Sequence, residues 1–400
     1  MSAYPFKVGG GLTTAESSVY VERQADKDIT SHLIRMEYVL VIEPRQQGKT
    51  SLVNALIRNS TLEGTAFVYL DVTVLDNSDE QRWYNSLCKR LLRQLRFISR
   101  DLWPSIPDDG GGWRDFLSDL AYLAEKSNLQ VVIALDEIGA VDFPGSTGFF
   151  SVLRDIYNSR QVEPEFRSIN FLLTGAFHPR DLISDEKVSP FNIAHRVRLP
   201  DFSLEQVGWL TEKGGWPQPR TKGLAEQIHF WTDGQPYMTQ LLLSYLGSQA
   251  EPAHIDDGIE RLRREDENHL PPMLHRLEQD KKLIEYLGRI QKGERPKFFP
   301  GENRRQAQLE LLGIIKADND GYCRIRNRIY EKALETFYNQ MEKDTAEATS
   351  VPQQDTSSTS DHSTQYHIQI QSAEGLVIGD RGQVKAKFEG EDDSSEENST

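Results

Sequence analysis

Tyr38-Val39-Leu40-Val41-Ile42 runs directly into Glu43-Pro44-Arg45-Gln46-Gln47-Gly48-Lys49-Thr50-Ser51: an apolar strand, a tight polar loop and the opening of a helix. That succession is the context a phosphate loop requires. Backbone N–H groups at the head of such a helix point at anionic oxygens. Lys49 can reach the β- and γ-phosphates of a nucleoside triphosphate, and the Thr50 hydroxyl can ligate Mg²⁺. Gln46, Gln47, Gly48 and Ser51 complete the expected cradle. Glu43 stands where the usual motif has its first glycine, so its carboxylate has to point away from the phosphates.

Further along, Val131-Val132-Ile133-Ala134-Leu135-Asp136-Glu137 is an apolar strand ending in two acids. This places Asp136 at a carboxyl-terminal strand edge, where ligands gather in open α/β sheets. Asp136 is expected to hold Mg²⁺ through water and Glu137 to polarise the attacking water. The next strand ends Leu172-Leu173-Thr174-Gly175, where Thr174 can orient water, sense the γ-phosphate, or satisfy its own turn. Asp71 closes the Ala66–Asp71 strand and can either stand behind the magnesium or cap the following turn.

From about residue 30 to 205, short apolar strands alternate with amphipathic helices such as Trp83–Ile98 and Trp113–Leu120. Val131–Leu135 and Ile169–Leu173 read as strands covered on both faces, and His195–Leu199 as a fifth. The expectation is an α/β fold, a parallel-sheet P-loop NTPase core over residues 31–202. Residues 203–266 read as short helices split by Gly and Pro. Over 267–341, helices near Met273–Ile290 and Arg304–Leu312 precede two short strands joined by Asp318-Asn319-Asp320-Gly321, which suggests a winged helix. A helix over Asn327–Met341 closes this part. Residues 342–364 read as a flexible linker, 365–388 as a β-prone island and 389–400 as an acidic disordered end.

Two lone cysteines, Cys88 and Cys323, suggest neither a disulfide framework nor a zinc cluster. The longest apolar runs are far too short to span a bilayer, and Met1-Ser2-Ala3-Tyr4-Pro5 lacks a signal-peptide layout. A cytoplasmic protein with no membrane partner is expected. Of the net charge of −15, residues 341–400 supply −9, leaving −6 for the first 340. Neither part has the basic excess of a protein that coats nucleic acid, so nucleic acid is not an expected partner.

Read with their flanks, these motifs resemble the STAND class of P-loop ATPases, in particular its bacterial, largely cyanobacterial, AAA-like subgroup. The resemblance is carried by Val8-Gly9-Gly10-Gly11-Leu12 with Val19-Tyr20-Val21-Glu22-Arg23-Gln24-Ala25-Asp26, and by Arg45–Leu52. Ser189-Pro190-Phe191-Asn192-Ile193 with Leu199-Pro200-Asp201-Phe202, and Asp233-Gly234-Gln235-Pro236-Tyr237, extend it to the end of the core and a helical lid. Leu309–Ile315 and Arg326–Tyr330 extend it into the winged helix.

The resemblance implies that residues 1–30 form a nucleotide-contacting lead, with Tyr20 and Arg23 near the adenine and phosphates. It implies that Pro236 packs on the adenine from the lid, and that Asn327 lies near the β-phosphate. No arginine finger is assigned by it; Arg180 and Arg196 are the candidates in the sequence. ATP and ADP with Mg²⁺ are the implied ligands, and slow hydrolysis the implied activity. The class works as a switch: ADP holds a closed monomer, and ATP with a trigger permits homo-oligomerisation. Such switches serve bacterial signalling and antiphage defence.

Tyr366-His367-Ile368-Gln369-Ile370-Gln371 and Gly375–Val384 resemble the amyloid signalling motifs of bacterial and fungal immune receptors. That implies self-assembly, or pairing with an effector or sensor protein, through residues 365–388; the other reading is a tail without that role. A rival for the whole chain is a DNA-associated AAA+-like ATPase of initiator or transposition type. In that case Arg304, Arg305, Arg324, Arg326 and Arg328 would contact duplex phosphates.

Overall fold

In the computed structural model the chain proceeds through α1 (Gln24–Ile34), β1 (Val39–Ile42), α2 (Lys49–Arg58), β2 (Thr65–Asp71), α3 (Glu80–Ile98) and α4 (Trp113–Lys126). It continues through β3 (Gln130–Asp136), α5 (Ser146–Ser159), β4 (Ile169–Gly175), α6 (Pro179–Leu182) and β5 (His195–Arg196). All five strands pair in parallel, in the order β2-β3-β4-β1-β5. Strands this apolar need cover on both faces. Leu40, Val68, Ile133 and Phe171 pack beneath α3, α4 and α5. The alternate residues Val39, Val41, Val132 and Leu172 pack on Ile29 and Leu33 of α1 and on Leu52 and Val53 of α2. The open edge of β2 is partly closed by a side chain: Gln94 of α3 accepts from Tyr69 N and donates to Tyr69 O, at 2.9 and 2.6 Å.

A helical half follows: α7 (Leu204–Glu212), α8 (Arg220–Thr232), α9 (Pro236–Tyr245), α10 (Ile255–Glu265), α11 (Leu270–Glu278), α12 (Lys281–Gln291) and α13 (Arg304–Leu311). The antiparallel pair β6 (Ile315–Ala317) and β7 (Cys323–Ile325) comes next, then α14 (Arg328–Thr349). Leu210, Ile228, Leu242 and Ile259 share one continuous core with Leu287, Leu309, Ile329 and Leu334. Phe6, Val19 and Val21 of the amino-terminal lead join this core, away from the sheet.

The structure describes Phe6 and residues 10–12, 18–59, 64–98, 112–143, 145–183, 185 and 187–349. The expected β-prone island and acidic end lie outside the described residues, as does most of the expected linker. Among the described residues, no helix is long and apolar enough to cross a membrane.

Several expected boundaries move, each for a local reason. The core starts at α1, inside the expected lead, because the Asp26 carboxylate accepts the Arg23 amide at 2.9 Å and starts a helix there. The helix expected over Met273–Ile290 is two helices, because Asp280 accepts from Lys282 N and Leu283 N and caps a new one. The last helix runs past Met341 to Thr349, through Glu, Lys and Ala residues that favour helix. The fifth strand is only two residues long. Its ladder ends because Leu199 N is taken by the Glu43 side chain at 3.0 Å.

One buried titratable group ties the two ends of the helical half together. His269 Nε2 pairs with the Tyr330 hydroxyl, and the ring lies between Tyr237 and Tyr330 at 5.3 and 5.5 Å. Burial pulls its imidazole down from an ordinary 6.5 to about 4. The folded chain therefore binds fewer protons than the unfolded one between those values, and stability falls as pH drops through that window. Urea unfolding at stepped pH should show this slope, and His269→Gln should flatten it.

Candidate nucleotide-binding site

The loop after β1 turns tightly because Gln46 and Gly48 both take positive φ, 61° and 89°. α2 then begins at Lys49 with its first amides free to meet an anion. Lys49 is 4% exposed. Its Nζ donates to Glu43 O and Pro44 O at 3.1 and 3.0 Å, with Glu137 Oε1 at 3.8 Å. Burial lowers the ammonium pKa, and the charges of Glu137 and Asp136 pull it back. Glu43 resolves the missing glycine: its carboxylate turns sideways, accepting Leu199 N at 3.0 Å with Arg198 Nη1 at 3.8 Å.

The register of the sheet assembles the next corner. Tyr69, Asp136 and Thr174 all fall on the face that carries α2, on β2, β3 and β4. Asp136 Oδ2 accepts from Thr50 Oγ1 at 2.6 Å and from Tyr69 Oη at 3.1 Å, while its Oδ1 accepts from Thr174 Oγ1. A carboxylate and a threonine hydroxyl this close, at a helix N-terminus, are the oxygen donors Mg²⁺ prefers beside phosphates. The residues fit that ion. Glu137 takes a left-handed φ of 53°, the local twist that brings its carboxylate beside Lys49. Asp71 stays out of this corner, accepting Thr73 N and Thr73 Oγ1 as a cap.

Beside the loop lies a narrow cleft of about 90 Å³. The lead contributes Gly10, Leu12, Tyr20 and Arg23, and the loop Gln46, Gly48 and Ser51. Pro236, Tyr237 and Gln240 of α9 close it from the other side. Leu12 N donates to Ser51 Oγ at 3.0 Å, and a Cβ on Gly11 would fall 2.7 Å from Thr50 Cγ2, so the lead crosses Thr50 only as glycine. Gly234 is as constrained: φ is +73°, and a Cβ would fall 1.9 Å from Phe202 O. Arg23 is 4% exposed, donates to Gln47 O at 3.1 Å and lies over the Phe202 ring. The Tyr20 hydroxyl goes to Asp26. A larger hollow of about 420 Å³, between α1 and α2, includes no residue of the loop.

Residues 9–336 match the AAA-like domain family. The chain belongs to that family. Over 271 residues, 64% of its length, this AAA-like domain is 30% identical to an uncharacterized WD repeat-containing protein of Synechocystis, and it spans 22% of that relative. Among solved structures it is similar to a Walker-type ATPase of Pyrococcus abyssi. The TM-score is 0.63 at 14% identity, over 83% of this chain and 99% of that one. The ORC2 protein of Aeropyrum pernix, in ADPNP–ADP complexes, scores 0.43 at 14% identity over 85% and 97%. The first of these shows the shared P-loop ATPase fold; the second is too distant to argue from.

What sequence reading missed in this AAA-like domain is long-range. Gln47, 1% exposed, turns its side chain from the cleft. Its Nε2 donates to Leu199 O and Asp201 Oδ1 at 2.9 and 3.0 Å, and its Oε1 accepts from Arg326 at 2.6 Å. Arg326 also donates to Asp201 Oδ1 at 2.6 Å, and Lys316 Nζ lies 2.7 Å from both Asp201 Oδ2 and Asp233 Oδ2. Arg324 pairs with Asp233. Burial alone would raise the Asp201 carboxyl, but Arg326 and Lys316 outweigh it and hold it at about 2. Asn327, expected near a β-phosphate, caps α14 by accepting Tyr330 N at 3.0 Å. Arg180 follows β4 and Arg196 ends β5, both on a hollow floored by Ile42 and Phe177. At the opposite end of the sheet, His32, Glu37 and His195 cluster, but Arg35 Nη2 lies 2.9 Å from both His32 Nδ1 and Glu37 Oε2. A guanidinium thus fills the place a cation would take.

The Glu43 geometry gives a test. Restoring the usual glycine with Glu43→Gly leaves the buried Leu199 amide without its acceptor and should cost about 1–3 kcal/mol. Glu43→Gln keeps an acceptor oxygen and should cost much less. Urea denaturation of both variants measures the difference.

Proposed function

We propose that this domain binds ATP and ADP with Mg²⁺, hydrolyses ATP slowly, and acts as a STAND-type signalling switch that self-associates when activated. The observation that carries the reading is the bond from Arg326 to Gln47. A residue just past β7 hydrogen-bonds the phosphate loop itself, so any change in the loop is felt at the far end of the helical half. The cleft supports the same reading. At about 90 Å³ it is well below the roughly 300 Å³ at which ligand pockets begin. A nucleotide enters only if α9 and its neighbours shift, which couples binding to rearrangement.

In this mechanism Lys49 exchanges the Glu43 and Pro44 carbonyls for β- and γ-phosphate oxygens, while the amides heading α2 hold the phosphates. Gly48 and Ser51 line the way for the nucleotide, and Arg23, Tyr20 and Pro236 flank it on the lead and lid sides. Thr50 and Asp136 would hold Mg²⁺, which would neutralise charge on the phosphate oxygens. Glu137, released from Lys49, orients the attacking water, and Thr174 fixes the Asp136 carboxylate. The setting we infer is bacterial signalling or antiphage defence, with output through residues 365–388 to further copies or to an effector. DNA binding draws little support. Of the five arginines that could serve it, Arg326 is buried at the loop, Arg324 is paired with Asp233, and Arg328 donates to Phe230 O at 2.8 Å.

Equilibrium binding of ATP and ADP, with mass followed by light scattering, tests the proposal. Lys49→Ala should weaken binding by roughly 10- to 100-fold, the value of hydrogen bonds to a charged group. Arg326→Ala should let assembly begin at lower ATP. Unaltered binding in Lys49→Ala would sink the site. Tight binding with no ATP-dependent mass change in wild type or Arg326→Ala would remove the switch.

A further inference from the structure

Three side-chain atoms of the cleft-lining residues are buried without a hydrogen-bond partner among the described residues: Arg23 Nε, Gln46 Oε1 and Gln240 Oε1. Two belong to groups tied down at their other atoms. Arg23 donates to Gln47 O at 3.1 Å, and Gln46 Nε2 donates to Asn268 O at 3.2 Å. Gln240 is different. It is 9% exposed, yet its carboxamide oxygen has no partner among the described residues, in a cleft whose lining includes the apolar Leu12, Val21, Phe202 and Pro236. Burying a polar atom unpaired carries its full desolvation penalty. An apolar side chain of similar size would avoid that cost, so the amide needs a reason to be there.

Its place on the helix supplies one. Gln240 lies four residues after Pro236 on α9, so both side chains share a face, one turn apart. The phosphate loop reaches the cleft at Gly48, and Gln240 reaches it from α9 together with Pro236. An aromatic base held between lead and lid would therefore present an edge to this amide.

We propose that Gln240 reads the base of the bound nucleotide, accepting from the exocyclic amino group of adenine and donating to its N7. A carboxamide pairs this way with adenine, which offers one donor beside one acceptor. Guanine offers two acceptors at the matching edge, and a single amide satisfies only one of them. The inference rests on the cleft being a nucleotide site, and assigns its preference for adenine to one side chain.

The test is equilibrium binding of ADP, GDP and purine riboside diphosphate, which lacks the amino group, to the full chain with Mg²⁺. Wild type should prefer ADP over each by roughly 5- to 150-fold, the range a bidentate amide–base pair supplies. Gln240→Leu should bring the three affinities together, mainly by weakening ADP. Equal affinity of wild type for ADP and the purine analogue overturns the assignment without any variant. An unchanged ADP-to-GDP ratio in Gln240→Leu overturns it too. In both cases Lys49-dependent binding leaves the nucleotide site standing. If wild type binds none of the three, the site and this inference fall together.

Discussion

A buried guanidinium dictates how the two halves of this protein meet. Arg326 is 6% exposed, and a charge taken that far from water costs several kcal/mol unless paired. Asp201 supplies the pair and Gln47 Oε1 a further acceptor, both 2.6 Å from the same Nη2 atom. Because Gln47 is also bonded to Leu199 O, the loop, the end of the sheet domain and the start of α14 form one connected set. Lys316 also crosses to Asp201, and within the helical half Asp233 takes both Lys316 and Arg324.

The corner around Asp136 depends on a different constraint, strand register. In a parallel sheet a one-residue slip sends every side chain to the opposite face. With β2, β3 and β4 paired as they are, Tyr69, Asp136 and Thr174 share the face of α2, and three hydroxyls converge on one carboxylate. Glu137, next in sequence, reaches Lys49 because its backbone takes a left-handed turn at that point. The two acids thus occupy different positions, one buried among hydroxyls and one beside the lysine.

How much of this was legible follows from range. Lys49, Thr50 and Asp136 announce themselves through local context, a strand end and a helix start, and the structure brings them together as that context implies. Four of the five strands were likewise visible as apolar runs, whereas β5 is the polar pair His195–Arg196 and shorter than expected. The Asp201–Arg326 pair, 125 residues apart, has no local signature, and Arg326 reads in sequence as one more surface cation. Tyr69 was hidden for a related reason: only pairing of β2 with β3 brings it to Asp136. Gln240 sits in a mostly apolar helical stretch beside Thr239, where nothing local singles it out. The split between α11 and α12 was readable in principle, since Asp280 is a favoured cap, but the apolar period across it looks continuous.

The seam between the halves differs in kind from what lies on either side. Each face of the sheet has its own apolar core, and the lead, lid and carboxyl-terminal elements share another. Between the sheet domain and the helical half run the ion pairs of Asp201 with Lys316 and Arg326, and of Arg198 with Glu310. An apolar joint would resist opening at about 25 cal/mol for every Å² exposed. A charged joint behaves otherwise. Water re-solvates each ion as it separates, so a buried ion pair adds little net stability while fixing one arrangement against others. The lead belongs to the helical core yet crosses Thr50 at Gly11, so the boundary between the bodies runs through the cleft itself. Cores that hold each half firm, a polar seam and a cleft on the line between them are what the proposed two-state switch would require.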